Sequence, residues 1–170
     1  ILIEDNYLEN PDFAMQCMTP VIESAIKQNV YVIIDWHSHF LKTEEAKAFF
    51  GRMAKKYGKY PHIIYEIYNE PVEDSWADLK KYAYEVIGEI RKYDADGIVL
   101  VGCPHWDQDI HLVAESPLEG VQNVMYTVHF YAATHGDYLR ERTEAAVKKG
   151  IPVFISESGA TEASGDGKID

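Results

Sequence analysis

Five short runs rich in Val, Ile and Tyr, each set behind a longer segment of helical periodicity, leave this chain little choice of architecture. The runs are Val30–His37, His62–Tyr68, Ile98–Gly102, Val124–Tyr131 and Pro152–Glu157. Their β-branched and aromatic content suits a pleated, buried surface, so they read as buried strands. Strands that alternate with helices build a parallel sheet with right-handed crossovers and helical cover. The fold class is therefore α/β.

The helical segments carry their own signals. Pro11 opens a helix to about Gln28, with Phe13, Cys17, Val21, Ile22 and Ile26 at helical spacing. Pro20 should kink it or restart it with Thr19 as cap. Thr43 is placed to cap Glu44–Tyr57, whose inward stripe is Ala46, Phe49, Phe50 and Met53. Asp74 or Ser75 caps a helix to Arg91, with Leu79, Tyr82, Ala83, Val86, Ile87 and Ile90 facing in. Trp106–Glu115 reads as one short helix and Asp137–Lys149 as another. Ile1–Asn10 and Ser158–Asp170 read as loops. Cys17 and Cys103 are too few for a disulfide framework and are most simply small buried residues.

With 170 residues, 46% of them hydrophobic, the chain has enough material for one sizeable core. It carries 28 acidic against 16 basic residues, a formal charge of −12. That sign argues against nucleic acid or an anionic membrane as partner and is compatible with a neutral substrate. No run has the length of a membrane span.

The C-terminal ends of parallel strands share one edge, where α/β folds keep their chemistry. This sequence delivers to that edge Asp35, Trp36 and His37, then Asn69 and Glu70, then Trp106, then His129 and Tyr131, then Glu157. Pro71, without an N–H, ends its strand directly after Glu70. Each group alone is more simply structural, but the recurrence is not, because every buried polar group needs a partner. Two carboxylates on separate strands suit the acid/base and nucleophile of glycoside hydrolysis. Mutual repulsion would keep one of them protonated. Trp36, Trp106 and Tyr131 offer flat apolar faces to sugar rings, and Asn69 and the histidines offer hydrogen bonds.

Val32–His37, Ile64–Pro71, His129–Tyr131 and Phe154–Gly159, with Val101–Asp109, together resemble glycoside hydrolase family 5, closest to its bacterial endo-β-1,4-glucanases. The likeness covers nearly the whole chain. It implies a (β/α)8 TIM barrel of which these are five consecutive β/α units, the third to seventh strands. It further implies a retaining mechanism with Glu70 as acid/base and Glu157 as nucleophile, their carboxyls about 5–5.5 Å apart. Asn69, His37, His129, Tyr131 and Trp106 would bind substrate, with Tyr131 orienting Glu157. The implied substrates are cellulose and carboxymethyl-cellulose, with mixed-linkage β-glucan as a further candidate. No metal or organic cofactor is implied, and secretion is. Strands one, two and eight of such a barrel have no counterpart between Ile1 and Asp170, so missing segments or a second chain are expected to complete it. Ser158 and Tyr68 depart from residues common in the family, and Tyr68 is expected to narrow the site; the role of His39 is open.

Two other readings compete. His37 and His39 have the His-x-His spacing of amidohydrolase zinc sites, with His129 as a third imidazole. Alternatively, the five units form a catalytically incomplete barrel piece that at most binds glycan.

Overall fold

The computed structural model describes residues 4–164, 167 and 169. The loop expected at Ile1-Leu2-Ile3, and residues 165, 166, 168 and 170 of the tail, lie outside them. Five parallel strands pair in chain order: β1 (Val32–Asp35), β2 (Ile63–Glu66), β3 (Ile98–Val101), β4 (Val124–Tyr131) and β5 (Val153–Gly159). They form a half-barrel, in agreement with the expected (β/α)8 architecture. Helices α1 (Glu4–Glu9) and α2 (Pro11–Lys27) precede the sheet. Crossovers run through α3 (Thr43–Tyr57), α4 (Trp76–Ile90), the short pair α5 (Pro104–Asp107) and α6 (Ile110–Glu115), and α7 (Asp137–Lys148). No helix among the described residues is long and apolar enough to cross a membrane.

The helical stripes of α3 and α4 bury as their periodicity requires, and Phe49, Phe50, Met53, Ala83, Val86 and Ile90 are all fully covered. Ser75 caps α4 by accepting from Asp78 N–H at 3.2 Å. Lys42, not Thr43, occupies the N-cap of α3 and gives it no side-chain cap; Thr43 is already its first helical residue.

Several expectations change. Residues 4–9 are a helix rather than a loop, and its Tyr7 packs edge-on against Phe49 (4.9 Å between ring centroids) and Trp36 (6.1 Å). Tertiary burial of one aromatic supplies what the local Asp and Asn content lacks. Helix α2 runs unbroken through Pro20, and Asn10 caps it by accepting from Phe13 N–H. Its buried face is Ala14, Met15, Met18 and Ile22, while Phe13, Cys17 and Val21 are exposed. Two stripes of helical period lie side by side there, and the small and flexible residues take the interior. Cys103 is buried as expected, and both cysteines are free. Strand β5 continues through Ser158 to Gly159, where a loop was expected.

The largest departure follows β3. Instead of one helix from Trp106, the chain makes a turn in which His105, Trp106 and Asp107 all have left-handed backbone (φ 56°, 54° and 59°). The right-handed helix resumes only at Ile110. Left-handed backbone costs roughly 1–2 kcal/mol per non-glycine residue, so the surroundings must hold it.

Candidate active site

The segment after β2 is set in place by its backbone. Ile67 N–H donates to Leu100 O at 3.1 Å, and Asn69 N–H donates to Trp36 O at 3.0 Å. Beneath it lies Gly102, where a Cβ would meet Tyr68 O at 2.8 Å and the Pro71 ring at 2.9 Å. Glycine is needed here for close approach, and the Asn69-Glu70-Pro71 tip rests directly on it. Trp106 N–H donates to Pro71 O at 2.8 Å, which ties the left-handed turn to the same tip.

Glu70 is held from two sides. Its Oε1 lies 2.9 Å from His129 Nδ1 and its Oε2 lies 3.3 Å from His39 Nε2. Glu157, on β5 and three strands further on, accepts a 2.5 Å hydrogen bond from the Tyr131 hydroxyl. His129 and Tyr131 are two residues apart on β4 and so share a face. Consecutive residues of β5 nevertheless meet both of them, since Ser156 Oγ lies 2.8 Å from His129 Nε2. An irregularity in the ladder explains this: Thr127 pairs with Phe154, but His129 pairs with Glu157, one residue more on β5 than on β4.

Glu70, Trp106, His129, Tyr131 and Glu157 line one cleft of about 360 Å³, together with Gln108 and His135. Trp106 stands 45% exposed. Ligand atoms of Glu70, His129 and Glu157 all lie within 4.8 Å of one another. His37 and Asn69 do not line this cleft. His37 sits on Asp35 (Nδ1 to Oδ2, 2.8 Å), near enough to Glu157 to feel its charge. Asn69 is buried, and its Nδ2 has no protein partner.

Charge is arranged unevenly. Burial alone would lower the pKa of His129, but the carboxylates of Glu66, Glu70 and Asp107 reverse this and push it up to about 10. Burial works to raise Glu70, but hydrogen bonds and charge from His129, with help from His39, outweigh it and hold its carboxyl below the usual value. Repulsion between the two glutamates therefore does not keep Glu70 protonated here, contrary to expectation; the imidazolium beside it dominates. The hydrogen bond to Glu157, then burial, push the Tyr131 phenol up to about 12, so it stays a donor. Burial pushes Asp35 up to about 6, against the pull of His37.

Two other expectations fail. Trp36 is no sugar platform: it is fully buried beside Phe49, because alternation along the strand turns it away from Asp35 and His37. Tyr68 does not narrow the cleft, since it is buried with its hydroxyl on Asp74 at 2.8 Å. The His-x-His pair does not converge on a metal either. The two rings stand 6.3 Å apart at 78°, with His37 committed to Asp35 and His39 to Glu70. Among the described residues the one trio spaced for an ion is Glu70, His129 and Glu157. Its imidazole has both nitrogens engaged, Nδ1 by Glu70 and Nε2 by Ser156.

Sequence reasoning missed Glu66, Asp107, Ser156, Gln108 and His135. Glu66 had a signal, a carboxylate inside an apolar run and four residues from Glu70, hence on the same strand face. Asp107 had none, because a left-handed turn without glycine leaves no mark in the residue types.

The family model described as Cellulase (glycosyl hydrolase family 5) matches residues 1–170. Endoglucanase Z of Dickeya dadantii is 41% identical over 167 residues, and an endoglucanase of Clostridium saccharobutylicum 43% over 171. Each match covers 96% of this chain but only 39% and 38% of those relatives. The catalytic domain of Thermobifida fusca endoglucanase Cel5A superposes with TM-score 0.89 at 35% identity, over 96% of this chain and 57% of that one. A variant of that domain in complex with cellotetraose gives TM-score 0.86, also at 35% identity, over 96% and 57% of the two chains. The chain thus spans about two fifths of the curated relatives' length.

Proposed function

This chain belongs to the cellulase family, glycosyl hydrolase family 5, and we propose that its cleft cleaves β-1,4-glucan by double displacement. The observation that carries the reading is that one carboxylate oxygen of Glu70 and one of Glu157 lie within 4.8 Å of each other, which favours the short spacing of retention over the wider spacing of inversion. Glu157 attacks the anomeric carbon while Glu70 protonates the departing oxygen. The glycosyl ester on Glu157 then yields to a water that Glu70 deprotonates. Esterification removes the charge on Glu157, which lowers the proton affinity of Glu70 and suits it to act as base in that second step. For the first step Glu70 must gain a proton against the pull of His129, and a neutral sugar that excludes water from the cleft pushes it that way.

The other residues follow from their places. Tyr131 steadies the Glu157 carboxylate, and Trp106 offers its exposed ring to a sugar face. Asn69, with a buried amide N–H in want of an acceptor, suits the hydroxyl beside the reacting carbon. His37 lies on the Glu157 side of the site. The five β/α units take the places of strands three to seven of one catalytic barrel. The solved relative holding cellotetraose supports a glucan as substrate, and an insoluble polymer as substrate supports action outside the cell.

Release of reducing ends from carboxymethyl-cellulose tests the proposal, measured for the chain, for Glu70→Gln and for Glu157→Gln. Activity that vanishes in both variants supports it. Equal release by the chain and by Glu157→Gln would leave a scaffold that at most binds glycan.

A further inference from the structure

The buried charges behind Glu70 exceed what the proposed reaction uses. His129 is 1% exposed and is faced by Glu70 after β2, Glu66 on β2, Asp107 on α5 and the Ser156 hydroxyl on β5. Asp107 Oδ2 lies 3.4 Å and Glu66 Oε1 3.7 Å from Nε2, and neither oxygen has a hydrogen-bond partner. The other Asp107 oxygen accepts from Cys103 N–H at 2.6 Å. Behind these groups stand Asp35, Cα partner of Glu66 across the β1–β2 ladder, and the buried Cys103 thiol; His39 holds the far oxygen of Glu70.

We propose that Asp107 is a positioning residue: from the left-handed turn it holds His129 in its doubly protonated form against Glu70, and so sets the pH range in which Glu70 carries a proton. Three features carry this. Asp107 is fully buried, and burial pushes its carboxyl well above the usual range, so its ionised form depends on the opposing charge of His129 and the hydrogen bond from Cys103 N–H. Its backbone is left-handed, a strained conformation that needs compensation. The same turn presents Trp106, so the residue that meets the sugar and the residue that fixes the imidazolium are neighbours in the chain. Both nitrogens of His129 then act as donors, Nδ1 to Glu70 and Nε2 toward Asp107, Glu66 and Ser156. Glu66 supports the arrangement from the opposite strand.

The proposal rests on Glu70 being the acid/base group, yet its core can be read without turnover. In Asp107→Asn the side-chain oxygen keeps the Cys103 hydrogen bond and an amide N–H replaces Oδ2. Nε2 must then accept, and the ring keeps one proton, on Nδ1. Nitrogen–proton correlation spectra of the histidine rings at neutral pH should show both His129 nitrogens protonated in the parent chain and only Nδ1 protonated in Asp107→Asn. In kcat/KM on carboxymethyl-cellulose, the alkaline limb should move to higher pH while the acidic limb stays, because Glu70 has lost the cation that favoured its ionised form. Glu66→Gln, which leaves the turn intact, should lower the pH at which the ring titrates and serves if Asp107→Asn does not fold. A neutral ring in the parent chain, or ring titration unchanged by the substitutions, overturns the proposal. So does a lowered plateau with both limbs unmoved, the mark of a merely structural role. If the ring behaves as stated while Glu70→Gln keeps full activity, the arrangement around His129 stands and the catalytic reading of Glu70 falls.

Discussion

Tyr131 and Glu157 meet across the last ladder of the sheet, phenol to carboxylate at 2.5 Å, and the phenol's pKa of about 12 makes it a permanent donor. A hydrogen bond to a charged group contributes about 1.5–3 kcal/mol. Tyr131→Phe should therefore lower kcat/KM by roughly ten- to a hundredfold. Steady-state kinetics on a soluble cello-oligosaccharide check this, with the loss falling in kcat more than in KM.

The two glutamates should separate by leaving group. Glu70→Gln should lose about 10²–10⁴-fold on a natural glucan through the missing proton donor. On an aryl cellobioside with an acidic phenol, which departs without protonation, the first step should recover. Glu157→Gln should stay inactive on both, since no ester can form. A release burst of the phenol, present in the first variant and absent in the second, is the measurement.

Gly102 should not tolerate a side chain. Alanine there would drive a Cβ into Tyr68 O and the Pro71 ring, neither of which can yield without moving Glu70. Overpacking of this kind costs about 1–3 kcal/mol. Urea unfolding of Gly102→Ala should show that loss, accompanied by a fall in kcat.

His129 should make stability depend on pH on the alkaline side. Its folded pKa of about 10 stands above the ordinary 6.5. The stability from its protonation is fully present below pH 6.5 and disappears as pH rises through about 10. The thermal midpoint should fall over that window in the parent chain and fall less in His129→Gln. Calorimetry at several pH values reads the difference.

Periodicity made the outer layer legible. The stripes of α3 and α4, and the five strands, follow from which residues repeat at which spacing, while the order of the strands in the sheet was implied by the family resemblance. The strand ends were less legible: β2 stops at Glu66 rather than beside Pro71, and burial continues through Ile67, Tyr68, Asn69 and Pro71. Two things escaped. Trp36 was set among the binding groups although its neighbours Asp35 and His37 already claim the inner face, so alternation should have excluded it. Asp107 and Ser156 escaped for a deeper reason, since the backbone conformations that aim them are set by contacts made far along the chain.

The extra residue that β5 carries opposite β4 makes the placement of Glu157 a question of parity. Side chains along a strand take the two sides of a sheet by turns, so an odd change in count sends a residue to the opposite side. Without the irregularity Ser156 would stand opposite His129, and Glu157 would pair with Phe130 and turn outward with it. Deleting Phe154 or Ile155 would take up the extra residue and leave a regular ladder with Glu157 still opposite His129, so the nucleophile should survive. Deleting both would overshoot, set Glu157 against Val128 and turn it to the opposite side of the sheet, away from His129 and Tyr131. Indels in this stretch should sort into odd and even classes, a pattern that substitution scanning would never reveal.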